Sequence, residues 1–294
     1  MKNLGFHIVK LWADFQSVHP FWLLYLKSDV YYFLAYHLLR YRRKVVRQNL
    51  MRSFPEKDAK AIKAIEKRFY RNLCDLVVEA PKMMRMGPDG FKKRIVFTNT
   101  EVITQLEAKR KNIFYAIPHS GNWEWFGKSM SSLSSHTCLA IYKKVKNPIF
   151  ERLMLEMRTK DCPLEMVESN SALKRLAQVK EQMNAVLMMA DQTSHGLESD
   201  FWTEFLHQET CWFTGIERIA KMLDYAIVFV SMKRQGRGRY EVSFELVTDE
   251  PKAAAKGQIM EQYVRCVERF IQGEPDNWLW SHRRWKHQRN KVEE

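Results

Sequence analysis

One of the chain's nine histidines, His119, stands where a side chain could do acid–base work. It follows the apolar run Ile113 to Ile117 and opens the stretch His119-Ser120-Gly121-Asn122-Trp123-Glu124. A buried strand ending at His119, a glycine that permits a tight turn and Asn122 as a helix cap would put Glu124 in the first turn of a helix. On one continuous helix, residues five apart point roughly 140° away from each other, so His119 and Glu124 can meet only across that turn. Glu124 is then expected to hold one ring nitrogen and fix the tautomer, leaving the other as general base for an alcohol, with the helix N-terminus favouring the neutral imidazole. The bare spacing carries little weight. Nine histidines and 34 acidic residues among 294 give about one such pair by chance, and a second, His195 with Asp200, is present. A capping or core histidine is the competing reading, and only the strand, glycine and helix context favours chemistry.

The elements that would position the pair can be read from periodicity. Val30 to about Met84 is helical, broken at Phe54-Pro55, with Asp58 a possible cap for the next helix. Beyond Gly87 the period changes to short apolar runs: Ile113 to Ile117, Cys138 to Tyr142, Ala185 to Met189 and Ala226 to Met232. Helical stretches such as Trp123 to Ser132, Asn147 to Arg158 and Ser171 to Met183 separate them. Gln235-Gly236-Arg237-Gly238 reads as a hairpin into a last alternating strand, Arg239 to Val247. This predicts an α/β fold with a mixed, largely parallel central sheet flanked by helices. A helical N-terminal lobe over 1–86 would precede an α/β domain over 87–294, the two forming one continuous unit.

The bulk composition narrows the function class. With 46% hydrophobic and 13% aromatic residues the chain is globular, and 48 basic against 34 acidic residues give a formal charge of +14 that favours acidic partners. Five scattered cysteines read as reduced core thiols facing a cytosol, and without HExxH or CxxC clusters no metal site is expected. There is no standard secretory signal. Phe21 to Leu39 is nearly a span-length apolar stretch, about 18 residues or more, but Lys27, Ser28 and Asp29 interrupt it. Its dense aromatics and the basic run Arg42-Arg43-Lys44 with Arg47 suit a headgroup boundary, whereas an ordinary core helix pair is the alternative.

Further blocks accompany His119 and Glu124: Tyr142-Lys143, Asn147-Pro148 and Arg158; Ala190-Asp191-Gln192; Phe205, Gln208 and Thr214-Gly215; and Trp280-Ser281-His282-Arg283-Arg284-Trp285-Lys286. Together, and in this order over nearly the whole chain, they resemble the lipid A biosynthesis (late) acyltransferase family of the lysophospholipid acyltransferase superfamily, whose HxxxxD/E signature His119 and Glu124 match. The resemblance implies an O-acyltransferase moving a fatty acyl group from an acyl carrier protein or coenzyme A thioester to a lipid A precursor, without cofactor or metal, at the cytoplasmic face of the inner membrane. It implies catalytic roles for His119, Glu124, Arg158 and Asp191. Substrate contacts are expected at Asn122, Lys143, Gln192, Thr214, Gly215, Arg283 and Arg284. Lys143 stands where many relatives have Arg, which weakens a bidentate role there. Another bacterial glycolipid, phospholipid or aminolipid is the alternative acceptor, and a non-catalytic membrane-binding protein the alternative class. The Trp- and Arg-rich C-terminal block could also suggest single-stranded nucleic acid, but no nucleic-acid module accompanies it and no such partner is expected.

Overall fold

Alternation along the central strands splits the apolar side chains between two cores. In β2 (Ile113–Ala116) Phe114 and Ala116 join one buried cluster while Ile113 and Tyr115 join the other, on the opposite face of the sheet. The same alternation divides Ile227 and Phe229 from Ala226, Val228 and Val230 in β8 (Ala226–Gly236). Strands covered on both faces read as nearly unbroken apolar runs, which is why they stood out in the sequence.

The computed structural model describes residues 2–192 and 201–287; the spacing pair His195 and Asp200 lies outside them. Around β2 and β8 stand β1 (Ile95–Thr98), β3 (Thr137–Tyr142), β4 (Leu164–Glu168), β5 (Asn184–Met188) and β9 (Arg239–Thr248), in the order β1-β9-β8-β2-β5-β3-β4. The five strands β8, β2, β5, β3 and β4 run parallel, β9 pairs antiparallel with β8, and β1 lies parallel to β9. The sheet is therefore mixed and largely parallel, as expected. A separate hairpin, β6 (Phe201–Phe205) and β7 (Gln208–Trp212), turns through Leu206 and His207, both in the left-handed region.

The N-terminal helices are α1 (Lys2–Val18), α2 (Phe21–Tyr32) continued by a π-helical turn (Phe33–Leu38), α3 (Arg43–Ser53) and α4 (Ala59–Glu79). Asp58 caps α4 by accepting from Ala61 N at 2.7 Å. These helices share the domain's cores. Phe6 and Ala13 of α1 belong to the cluster that contains Ile113 and Tyr115, and Val46 and Leu50 of α3 to the one that contains Phe114. Among the described residues no helix is long and apolar enough to cross a membrane. The remaining helices are α5 (Pro88–Lys92), α6 (Glu101–Ala108), α7 (Trp123–Ser129), α8 (Pro148–Thr159), α9 (Ala172–Gln178), α10 (Gly215–Leu223) and α11 (Gln258–Gly273).

Between β2 and α7 the chain turns at Gly121, whose φ is +57°. A Cβ there would meet the Met232 carbonyl oxygen at 2.8 Å, so both conformation and space demand glycine. Gly121 N is held by Asn277, through its backbone oxygen at 3.2 Å and its Oδ1 at 3.0 Å. Gly121→Ala should cost about 1–3 kcal/mol and displace His119, giving a lower Tm and a loss of activity. A variant with unchanged Tm would show that the turn relaxes freely.

Candidate active site

His119 and Asp191 meet because their strands are neighbours. β2 pairs with β5, His119 follows the end of one and Asp191 the end of the other, at the carboxyl edge where parallel α/β sheets build their sites. His119 Nδ1 lies 2.6 Å from Asp191 Oδ1, and the His119 backbone N–H donates to Asp191 Oδ2 at 2.9 Å. Trp278 Nε1 donates to the same oxygen at 2.7 Å. Asp191 is buried, which by itself raises a carboxyl pKa, yet the charge of His119 and these hydrogen bonds hold it down to about 2. An ionised carboxylate only accepts, so in the neutral ring Nδ1 carries the proton and Nε2 keeps its lone pair. Among the described residues Nε2 has no hydrogen-bond partner, and the ring lines a cleft with Leu73, Leu76, Trp123 and Leu279.

The expected His119–Glu124 contact is absent. Glu124, in the first turn of α7, binds Arg158 in the last turn of α8: Arg158 Nε donates to Oε2 at 2.8 Å and Nη2 to Oε1 at 2.6 Å. Two parallel charge-assisted bonds satisfy a guanidinium and a carboxylate better than an imidazole edge would, and Asp191 already occupies Nδ1. Burial pushes the Arg158 pKa down, but the Glu124 carboxylate more than offsets this and leaves it raised. Arg158 therefore stays a cation. Glu124 and Arg158 border a groove otherwise lined by apolar residues such as Ile141, Leu164, Met166, Leu187 and Met189, and Trp123 borders both this groove and the His119 cleft.

Several expected substrate contacts are structural instead. Asn122 is fully buried: its Oδ1 accepts from Trp125 N at 3.1 Å and its Nδ2 donates to Glu79 Oε2 at 2.8 Å, which uses both ends of the amide. Arg284 is also buried, donating Nη2 to the Cys211 carbonyl at 2.7 Å and lying over the Trp212 ring, and burial depresses its pKa to about 10. It locks the C-terminal block to the β6–β7 hairpin. Lys143 and Arg283 are exposed and Gln192 is half-buried beside Asp191. Thr214 stands at the N-cap of α10 without a side-chain cap bond, and Gly215 follows it, buried.

Glu79, Asn277 and Trp278 are positioning residues that no local pattern revealed. Glu79 is buried, which pushes its carboxyl pKa up against hydrogen bonds from Tyr240 at 2.6 Å, Asn122 at 2.8 Å and Tyr25 at 3.0 Å. It fixes the α7 cap from behind. Each of these contacts joins residues more than 40 positions apart.

Asp191→Asn should cut turnover about 10²- to 10⁴-fold, as should His119→Ala, because the ring loses the partner that fixes its tautomer. The folded-state pKa of Asp191 lies below the ordinary aspartate value of 3.8, so its stabilising charge is present above about pH 4 and lost as pH falls toward 2. The Tm gap between wild type and Asp191→Asn should close over that acid window. Glu124 should couple to Arg158 instead: a thermal-unfolding cycle of Glu124→Ala with Arg158→Ala should show about 0.5–3 kcal/mol of coupling, and Glu124→Ala with His119→Ala little. Additivity in the first pair would contradict the ion-pair assignment.

Comparison with known proteins identifies the family. The bacterial lipid A biosynthesis acyltransferase family matches residues 18–287. A curated relative, lipid A biosynthesis acyltransferase 2 of Shigella flexneri, is 20% identical over 123 residues, which is 42% of this chain and 39% of that protein. The matched segment thus spans well under half of the relative's length. With the family match running from within α1 through the C-terminal Trp–Arg block, the chain belongs to the bacterial lipid A biosynthesis acyltransferase family.

Proposed function

We propose that the protein transfers a fatty acyl group from an acyl carrier protein or coenzyme A thioester to a hydroxyl of a lipid A-type glycolipid. The observation that carries this reading is the His119–Asp191 contact, which leaves Nε2 as a base at the mouth of a cleft beside an apolar groove. His119 Nε2 takes the proton of the acceptor hydroxyl as its oxygen attacks the thioester carbonyl. The tetrahedral intermediate then collapses, the C–S bond breaks, and the imidazolium returns its proton to the departing thiolate. Asp191 stabilises the imidazolium. Arg158, kept cationic and immobile by Glu124, supplies positive charge toward the developing oxyanion, and the adjoining apolar groove suits the acyl chain.

The same reading puts the protein on the cytoplasmic face of the inner membrane, held by its N-terminal helices without crossing. Trp22, Leu26, Val30, Phe33 and Leu38 are exposed along α2 and the π turn, Trp22 at 69%. A lipid acceptor leaves a bilayer at about 0.8 kcal/mol per CH₂, so the active site must go to it.

Purified protein in detergent, supplied with labelled acyl carrier protein or acyl coenzyme A and a panel of glycolipid, phospholipid and aminolipid acceptors, should yield an acylated glycolipid by mass spectrometry. His119→Ala should abolish that product. Transfer to none of the acceptors, or transfer that survives His119→Ala, would overturn the reading. Replacing Trp22, Leu26 and Phe33 together by Ser should release the protein from membranes in high salt, whereas wild type should remain bound.

A further inference from the structure

Away from the cleft, a concave surface is lined by Arg40, Arg42 and Lys44 before and at the start of α3, Arg52 at its end, and Arg283 and Lys286 from the C-terminal block. Among the described residues no carboxylate lines it. The adjoining Arg43 and Arg47 are tied to the buried Glu66, but among the described residues Arg40, Lys44, Arg52 and Lys286 make no ion pair. Like charges are gathered here at a cost. Arg40 and Arg42 both sit at φ 50°, a left-handed conformation that is strained for a non-glycine residue. Such strain persists only where surrounding structure enforces it, and here Arg42 Nη1 donates to the Ser281 carbonyl at 3.0 Å while Asn49 Nδ2 donates to those of Trp280 and His282.

Two neighbours show what the surface meets. The exposed apolar stripe from Trp22 to Leu38 continues through Leu39, 73% exposed, and Tyr41 into this basic turn, so apolar contact and positive charge adjoin as they do at a bilayer surface. The C-terminal wall of the cup belongs to the segment that begins with Trp278, the donor to Asp191. A carrier protein's acidic face would use the cations but not the apolar stripe that leads to them.

We infer that this cup binds the phosphate group of a membrane lipid, seating the headgroup at bilayer level. The inference rests on the membrane-surface reading above. Cations near an anionic surface contribute about 1 kcal/mol each, roughly fivefold in affinity, so four of them should matter by about 100-fold or more.

The test is sedimentation of the full chain with phosphatidylcholine vesicles, with and without phosphatidic acid. Wild type should prefer the phosphatidic acid vesicles. The variant carrying Arg40→Ala, Lys44→Ala, Arg52→Ala and Lys286→Ala should lose that preference by about 100-fold at unchanged Tm. His119→Ala should keep it, which separates headgroup binding from acyl transfer: if no acceptor is acylated yet the preference stands, only the catalytic reading fails. An equal preference in the quadruple variant would overturn the inference. So would a quadruple variant that binds these vesicles normally but loses acyl carrier protein. Stabilisation of wild type by inorganic phosphate without any discrimination between vesicles would make the cup a soluble-anion site and also overturn it.

Discussion

The candidate site is organised by one hydrogen bond, from the His119 ring to the carboxylate of Asp191, formed where two adjacent parallel strands end. Burying a carboxylate is expensive unless its lone pairs are satisfied. Asp191 accepts from the His119 ring, the His119 backbone and the Trp278 indole, so it remains an anion in a site that would otherwise neutralise it. That anion determines which ring nitrogen is free. The turn through Gly121, the Asn277 amide that grips it and the Glu79 carboxyl behind Asn122 all keep His119 in reach of Asp191.

Division of labour follows from the chemistry of the two carboxylates. Asp191, fully enclosed and short, serves an imidazole; Glu124, at the groove and longer, forms a two-pronged pair with Arg158. Removing either partner of that pair would leave a largely buried charge uncompensated, a loss of up to about 3–5 kcal/mol. The pair therefore keeps a cation beside apolar walls where an isolated arginine would be costly to bury. α1 packs against the same helix α8 that carries Arg158, through the ion pair of Lys10 with Glu156 and through Phe6 in the shared core. The N-terminal helices thus brace the groove as well as offering an apolar surface.

Much of the fold was legible because buried parallel strands leave a strong mark. β2, β3, β5 and β8 are apolar runs, the Gly236–Gly238 hairpin lies between β8 and β9, and Asp58 and Asn122 cap the helices they precede. The edge strands were not found. β4 alternates Leu164 and Val167 with glutamates, and β1 has only four residues, so neither carries a continuous apolar signal. The motif blocks singled out His119, Arg158 and Asp191, but not how they pair. The HxxxxE spacing suggests a local partner, whereas the actual partner is set by the placing of β5 beside β2, a fact of strand order with no local trace. The buried, structural placing of Asn122 and Arg284 was hidden for the same reason: Glu79 and Cys211 reach them from 43 and 73 positions away.

The tautomer of His119 is the most direct check of this arrangement. Nitrogen-15 NMR of histidine-labelled protein, with the His119 ring assigned by its loss in His119→Ala, reports which ring nitrogen carries the proton. The neutral ring should be the Nδ1–H tautomer, and that preference should persist in Glu124→Gln but collapse in Asp191→Asn. An Nε2–H ring in the wild type, or a tautomer that responds to Glu124 and ignores Asp191, would contradict it.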